Sequence, residues 1–269
     1  MNTAFDDTAH QYDHEFSWSP IGLIQRKMVW NFLEKELRTE LSASILELNC
    51  GTGEDAVWLA LNHQQILATD ISGEMIKIAQ QKACLQKVNN QIRFKVMDIQ
   101  DAKVHLAGEK FDLVFSNFGG FNCLSDDQFS HWLNGQLPDL LNPGGRFVAV
   151  LMSKFCVWES LYFLSKFQFR KAFRRLSKGP VEGKLSAVSS INTWYYAPQW
   201  IKTHLPETLT VSDVKAIGLF IPPSYLNHFF APRIKLLSIL QKLENSIKEV
   251  KAAALFSDHY LIEIQLKPL

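Results

Sequence analysis

Cysteine is scarce in this chain: four in 269 residues, Cys50, Cys84, Cys123 and Cys156, far apart and with no C-x-x-C pair. That spacing excludes a disulfide scaffold and a zinc knuckle, and the four read as reduced, mostly core thiols. Long apolar runs are missing too. None reaches the roughly 20 residues that cross a bilayer, and the opening MNTAFDDTAHQYDHEF is acidic and polar where a secretory leader is basic and then apolar. The expectation is a cytoplasmic protein without a membrane span. Charge of one sign is also lacking, with 28 Lys and Arg against 27 Asp and Glu. The broad basic balance of a nucleic-acid binder is absent, and no nucleic-acid partner is expected. There are no repeats, low-complexity tracts or flexible linkers.

What the chain does have is regular alternation. Apolar runs of β type recur at Ser44 to Leu48, Gln65 to Thr69, Ile92 to Met97, Phe111 to Phe115 and Arg146 to Met152, with helical segments Glu54 to Asn62, Gly73 to Lys87 and Asp126 to Leu141 between them. Strand and helix in turn predict a doubly wound parallel sheet. Ser72 and Ser125 stand where helix N-caps belong, and NPGG at Asn142 to Gly145 reads as a helix stop. Later come a strand within Leu209 to Phe220, a helix from about Arg233 to Val250, and the alternating HYLIEIQLK. Two late strands without a long crossover predict an antiparallel edge.

The alternation divides the chain into an N-terminal helical cap segment (1–39), a core (40–152 and 205–269) and a helical, aromatic and basic insert (153–204). From Phe155 to Lys184 the insert carries seven Lys and Arg against Glu159 and Glu182.

The chemistry concentrates at ILELNCGTGED, Ile45 to Asp55, and at Asp70. Glycines at 51 and 53 allow a ligand close to the backbone, and the helix that follows offers free N–H groups. Gly51-x-Gly53-x-x-Ala56 satisfies a relaxed dinucleotide fingerprint, with Asp70 at the distance that suits a ribose diol. Glu47 argues against a pyrophosphate. Its carboxylate ends the first strand beside the loop, with Glu54 and Asp55 close behind, and like charges in a partly desolvated cleft outweigh the helix dipole. A ligand carrying an amine and a sulfonium suits the loop better.

These residues resemble the class I S-adenosylmethionine-dependent methyltransferases. Glu47, Gly51 and Gly53 match that family's first motif. Asn49 replaces its first glycine, a mild departure because Asn tolerates a left-handed backbone. Asp98 in FKVMDIQD, FDLVFSN on the fourth strand and NPGG before the fifth follow in the family's order. The resemblance implies a Rossmann-like, mostly parallel seven-stranded sheet with an antiparallel last strand, a helical cap, and S-adenosyl-L-methionine as cofactor. It implies that Asp70 binds the ribose hydroxyls, Ile71 packs on adenine with Met75 nearby, and Asp98 receives the adenine amino group beside Ile99. Glu47, Asn49, Gly51 and Gly53 would lie along the methionine portion, and Asn117 would face the methyl group. Tyr12 would cover the methionine portion and Arg26 would pair with its carboxylate.

On the acceptor side the expectation is a small aromatic or apolar molecule walled by Phe118, Trp158, Tyr162, Tyr195 and Tyr225, with oxygen the favoured nucleophile and nitrogen or carbon as alternatives. His228 and His259 are the candidate general bases; His10 and His14 lack a third ligand, so no metal is expected. The cluster Arg170, Lys171, Arg174 and Arg175 would receive an acidic carrier protein bearing the acceptor, or form a solvated helix face. Two other readings stay open: a nicotinamide-dependent oxidoreductase, and a non-catalytic partner-binding protein on a methyltransferase fold.

Overall fold

A computed structural model describes residues 3–37, 42–184 and 189–267. Seven strands form the main sheet: β1 (Ser44–Leu48), β2 (Gln65–Asp70), β3 (Ile92–Val96), β4 (Phe111–Ser116), β5 (Leu141–Met152), β8 (Leu209–Ile217) and β9 (His259–Leu266), in the order β3-β2-β1-β4-β5-β9-β8. β1 to β5 pair in parallel, and β9 runs antiparallel to both β5 and β8. The antiparallel strand is thus inside the sheet, and β8 rather than β9 forms the edge.

The central strands read as near-continuous apolar runs because both faces are covered. On β5, Phe147, Ala149 and Leu151 point into one apolar cluster while Val148 and Val150 point into the other. Helices α1 (Pro20–Leu37), α2 (Glu54–Leu61), α3 (Gly73–Leu85) and α4 (Asp126–Gly135) flank the sheet. Ser72 caps α3 by accepting the Met75 N–H at 3.1 Å. Ser125 and Gln128 form a full capping box on α4. After α4 the helix breaks at Gln136, where Pro138 follows in a one-turn helix, and β5 starts already at Leu141, so NPGG lies inside the strand with a register shift against β4.

The insert differs from its sequence-based description. It opens with a helix, α5 (Val157–Ser165), but continues into an antiparallel hairpin of β6 (Val181–Lys184) and β7 (Ser190–Thr193). The next long helix is α6 (Ile234–Ser246).

Candidate active site

The carboxyl ends of β1, β2 and β4 meet at a cavity of about 290 Å³. Its floor is the turn after β1, where Asn49, Gly51 and Gly53 all take left-handed φ, 52°, 54° and 78°. Asn49 holds this conformation because its Oδ1 accepts the Ser116 hydroxyl at 2.5 Å and its Nδ2 donates to the Asn117 carbonyl at 2.8 Å. At Gly53 a Cβ would meet the Ala79 Cβ at 2.7 Å, so α2 and α3 pack through the missing side chain.

Asp70 closes one side. Its Oδ2 accepts the Gly51 N–H and its Oδ1 the Ser72 N–H, both at 2.9 Å. Burial pushes this carboxyl up, and the two N–H groups restrain the rise. Asp98, past β3, accepts the Gln100 N–H at 2.9 Å and lines the same wall.

The roof is the N-terminal segment, tied down by its acids. Asp6 Oδ1 accepts the Ser72 hydroxyl at 2.5 Å; Asp13 accepts the Thr52 hydroxyl at 2.5 Å and Lys82 Nζ at 2.8 Å. Lys82 also reaches Glu54 at 2.5 Å, which receives the Trp18 indole N–H at 2.9 Å. Phe5, Tyr12 and Arg26 thereby face the cavity. Burial pushes the Tyr12 phenol up to about 12, so it stays protonated at neutral pH.

Arg26 pairs with Asp55, which also receives the Trp30 indole N–H at 2.6 Å and Asn117 Nδ2 at 2.9 Å. Burial opposes the Arg26 charge and Asp55 more than restores it, so its pKa is raised. Among the described residues one buried atom of Arg26, Nε, has no hydrogen-bond partner, and neither does Glu47 Oε2. Glu47 is fully buried beneath the loop, and burial, then Asp55, push its carboxyl well up against the pull of Arg26. The acidity of the cavity wall therefore comes from Glu54, Asp55, Asp70 and Asp98.

Residues 45–145 match the model of a methyltransferase domain family, and they contain the motif turn, Asp70, Asp98 and β4. The matched segment is a methyltransferase domain, consistent with the class I S-adenosylmethionine-dependent methyltransferases.

This methyltransferase is 28% identical over 173 residues to a ubiquinone/menaquinone biosynthesis C-methyltransferase of Acidiphilium cryptum, covering 63% of this chain and 65% of that one. It is 31% identical over 96 residues to a tRNA/tmRNA (uracil-C(5))-methyltransferase of Shewanella woodyi, covering 35% of this chain and 25% of the relative. The chain thus spans less than two thirds of the length of these curated relatives. The solved CcbJ methyltransferase of Streptomyces caelestis shares the fold, with TM-score 0.61, 16% identity, and coverage of 100% of this chain and 99% of that one.

All of the methyltransferase's expected cofactor residues except Glu47 and Gly53 line the one cavity. Glu47 and Gly53 support the turn from behind. The donor set fits the family's cofactor: a buried guanidinium N–H without a partner suits a carboxylate, and the surrounding acids suit a cationic centre.

The expected acceptor residues do not gather. Phe118 lines the cavity, while Trp158, Tyr162, Tyr195 and Tyr225 do not. The Trp158 indole N–H donates to the Phe220 carbonyl at 3.2 Å and its ring packs on Phe230. Tyr162 packs on Tyr225, with ring centroids 5.7 Å apart. The Tyr195 ring lies 5.1 Å from the Arg175 guanidinium. His228 is exposed, its Nδ1 3.2 Å from the Tyr225 carbonyl. His259 sits one ring behind the wall, edge-on to Phe118 at 5.6 Å and 3.1 Å from Asp258, which Arg175 holds at 2.7 Å. Among the described residues no cluster of three or more His, Cys, Asp or Glu could hold a metal.

Sequence reasoning missed Phe5, Cys123, Leu124 and Ile191, all in the cavity wall. The pair Gly119–Gly120 after β4 is the signal for the turn that delivers Cys123 and Leu124: a Cβ on Gly120 would lie 2.2 Å from the Asn49 side chain. Ile191 arrives on the hairpin, whose four-residue strands have no comparable signal.

Proposed function

We propose that this protein transfers a methyl group from S-adenosylmethionine to a small apolar or aromatic acceptor, with oxygen the favoured nucleophile and nitrogen or carbon as alternatives. The observation that carries the reading is the buried guanidinium of Arg26, whose Nε has no hydrogen-bond partner among the described residues, in a cavity whose other charged lining residues, Glu54, Asp55, Asp70 and Asp98, are all acids. That arrangement favours a zwitterion with a cationic centre and disfavours a pyrophosphate. When bound, the cofactor supplies a methyl group on a positively charged sulfur.

The chain's own residues supply position and dryness. Tyr12 and Phe5 roof the site, and Phe118, Leu124 and Ile191 add apolar lining that limits water in the cavity. The Cys123 thiol on that side is pushed by burial up to about 12 and stays protonated. The wall thus favours an acceptor that ionises readily by itself or attacks through an activated ring carbon. The quinone-pathway name of the Acidiphilium relative agrees with such an acceptor.

Calorimetric titration with S-adenosylmethionine and with NAD tests the cofactor. Labelled methyl transfer to a panel of phenols, quinols and carboxylic acids then tests the acceptor. Binding of NAD without S-adenosylmethionine would overturn the reading.

A further inference from the structure

Away from the cavity, the segment that follows α5 is both apolar and basic. Phe167, in the turn after α5, is 82% exposed and sits at a left-handed φ of 57°. Leu161, Phe169, Phe173 and Leu176 are exposed around it. Between Lys166 and Lys178 the sequence has no acid, and Lys166, Arg170, Lys171 and Lys178 have no carboxylate partner within 4 Å among the described residues.

Helix α6 carries a second exposed apolar stripe nearby. Leu237 and Leu240 pack inward, while Leu236, Ile239 and Leu243 form a second, outward stripe at i, i+3 and i+7. Exposed Phe229 and Ile234 precede that stripe, flanked by Arg233 and Lys235. The two stretches adjoin through the Tyr162–Tyr225 and Trp158–Phe230 ring contacts.

We propose that this face docks on an anionic membrane surface. An aromatic tip presented by a short turn, a helix with an unpartnered apolar stripe, and nearby cations without a carboxylate partner form the combination that seats in the headgroup layer. The charge is complementary to lipid phosphates. The absence of a membrane-spanning helix among the described residues agrees with attachment from one side. The proposal does not depend on the methyl-transfer reading, because its readout is vesicle binding.

The test is co-sedimentation of the full chain with vesicles of phosphatidylcholine alone and of phosphatidylcholine with about one third phosphatidylglycerol. Binding to the anionic vesicles should be at least about tenfold tighter and should fall in about 0.5 M salt. The pairs Phe167→Ser with Phe169→Ser, and Lys166→Glu with Lys171→Glu, should each weaken it about tenfold or more. Unchanged melting temperature would show that the fold survives. In a Phe167→Trp variant, emission should shift to the blue on adding anionic vesicles. Absence of both sedimentation and shift would overturn the proposal. So would dimerisation, or capture of an acidic carrier protein, that these substitutions abolish in a chain that ignores vesicles.

Discussion

Arg26 donates to Asp55 in a pair almost wholly shut off from water, with side chains 6% and 4% exposed. Removing one partner leaves the other charge buried alone, a loss on the order of 3–5 kcal/mol. Asp55→Ala should therefore lower the melting temperature by roughly 10 °C, given about 2–4 °C per kcal/mol for a chain this long. Asp55→Asn, which keeps an acceptor for the Trp30 indole, should lower it less. Thermal denaturation followed by circular dichroism gives both numbers, and an unaltered Asp55→Ala midpoint would refute the pairing.

Asp70 holds the motif turn through the Gly51 N–H and lines the cavity, and under the proposed function it meets the cofactor. Asp70→Ala should weaken S-adenosylmethionine binding at least about tenfold, as expected for lost hydrogen bonds to a charged group worth roughly 1.5–3 kcal/mol. Calorimetry on folded protein measures this. Equal affinity would remove Asp70 from the site.

Gly53 and Ala79 make a reciprocal prediction. A methyl group at Gly53 meets that of Ala79 at 2.7 Å and sits on a left-handed backbone, so Gly53→Ala should cost about 2 kcal/mol or more. Ala79→Gly alone should cost about 1 kcal/mol. Combined, they should cost less than the sum by at least about 0.5 kcal/mol, because the overlap is gone while the backbone strain remains. Strict additivity in urea denaturation would show that the two helices do not meet there.

The Glu47 carboxyl gives a pH signature. Burial first, then Asp55 and Asp70, raise it well above 4.5, so the folded chain keeps a proton that the unfolded chain releases. The stability linked to that proton is complete below about pH 4.5 and is lost as pH rises toward the folded value. Glu47→Gln abolishes the dependence. Its melting temperature relative to the unmodified protein should climb from about pH 4 to about pH 8, and a constant difference across that range would refute the prediction.

The parallel half of the sheet was readable because local pattern and tertiary role agree there. β1, β2, β4 and β5 carry apolar residues on both faces while the edge strand β3 alternates Ile92, Phe94 and Val96 with Arg93 and Lys95, the capping serines announce α3 and α4, and the acids that end β1 and β2 sit at fixed distances from the glycines. Asn49 was readable as a left-handed residue for the same local reason, and its φ is 52°. The position of β9 between β5 and β8 was not readable, since strand order depends on contacts between segments over 100 residues apart. Nor were the occupants of the cavity wall. Helical spacing shows that Trp158 and Tyr162 share a face, but not that the face covers Phe230 and Tyr225 instead of a ligand. Phe118 is the reverse case: a bulky residue in the left-handed region, φ 47°, which its residue type would never suggest.

The Phe118 ring stands 5.2 Å from Phe16, 5.3 Å from the Arg26 guanidinium and 5.6 Å from His259. One side chain is therefore the mechanical junction of the chain's beginning, middle and end. A disturbance on the last strand can reach the N-terminal roof through a single ring without crossing the sheet, so substitutions near His259 should be felt as changes in cofactor retention although that residue lies outside the cavity.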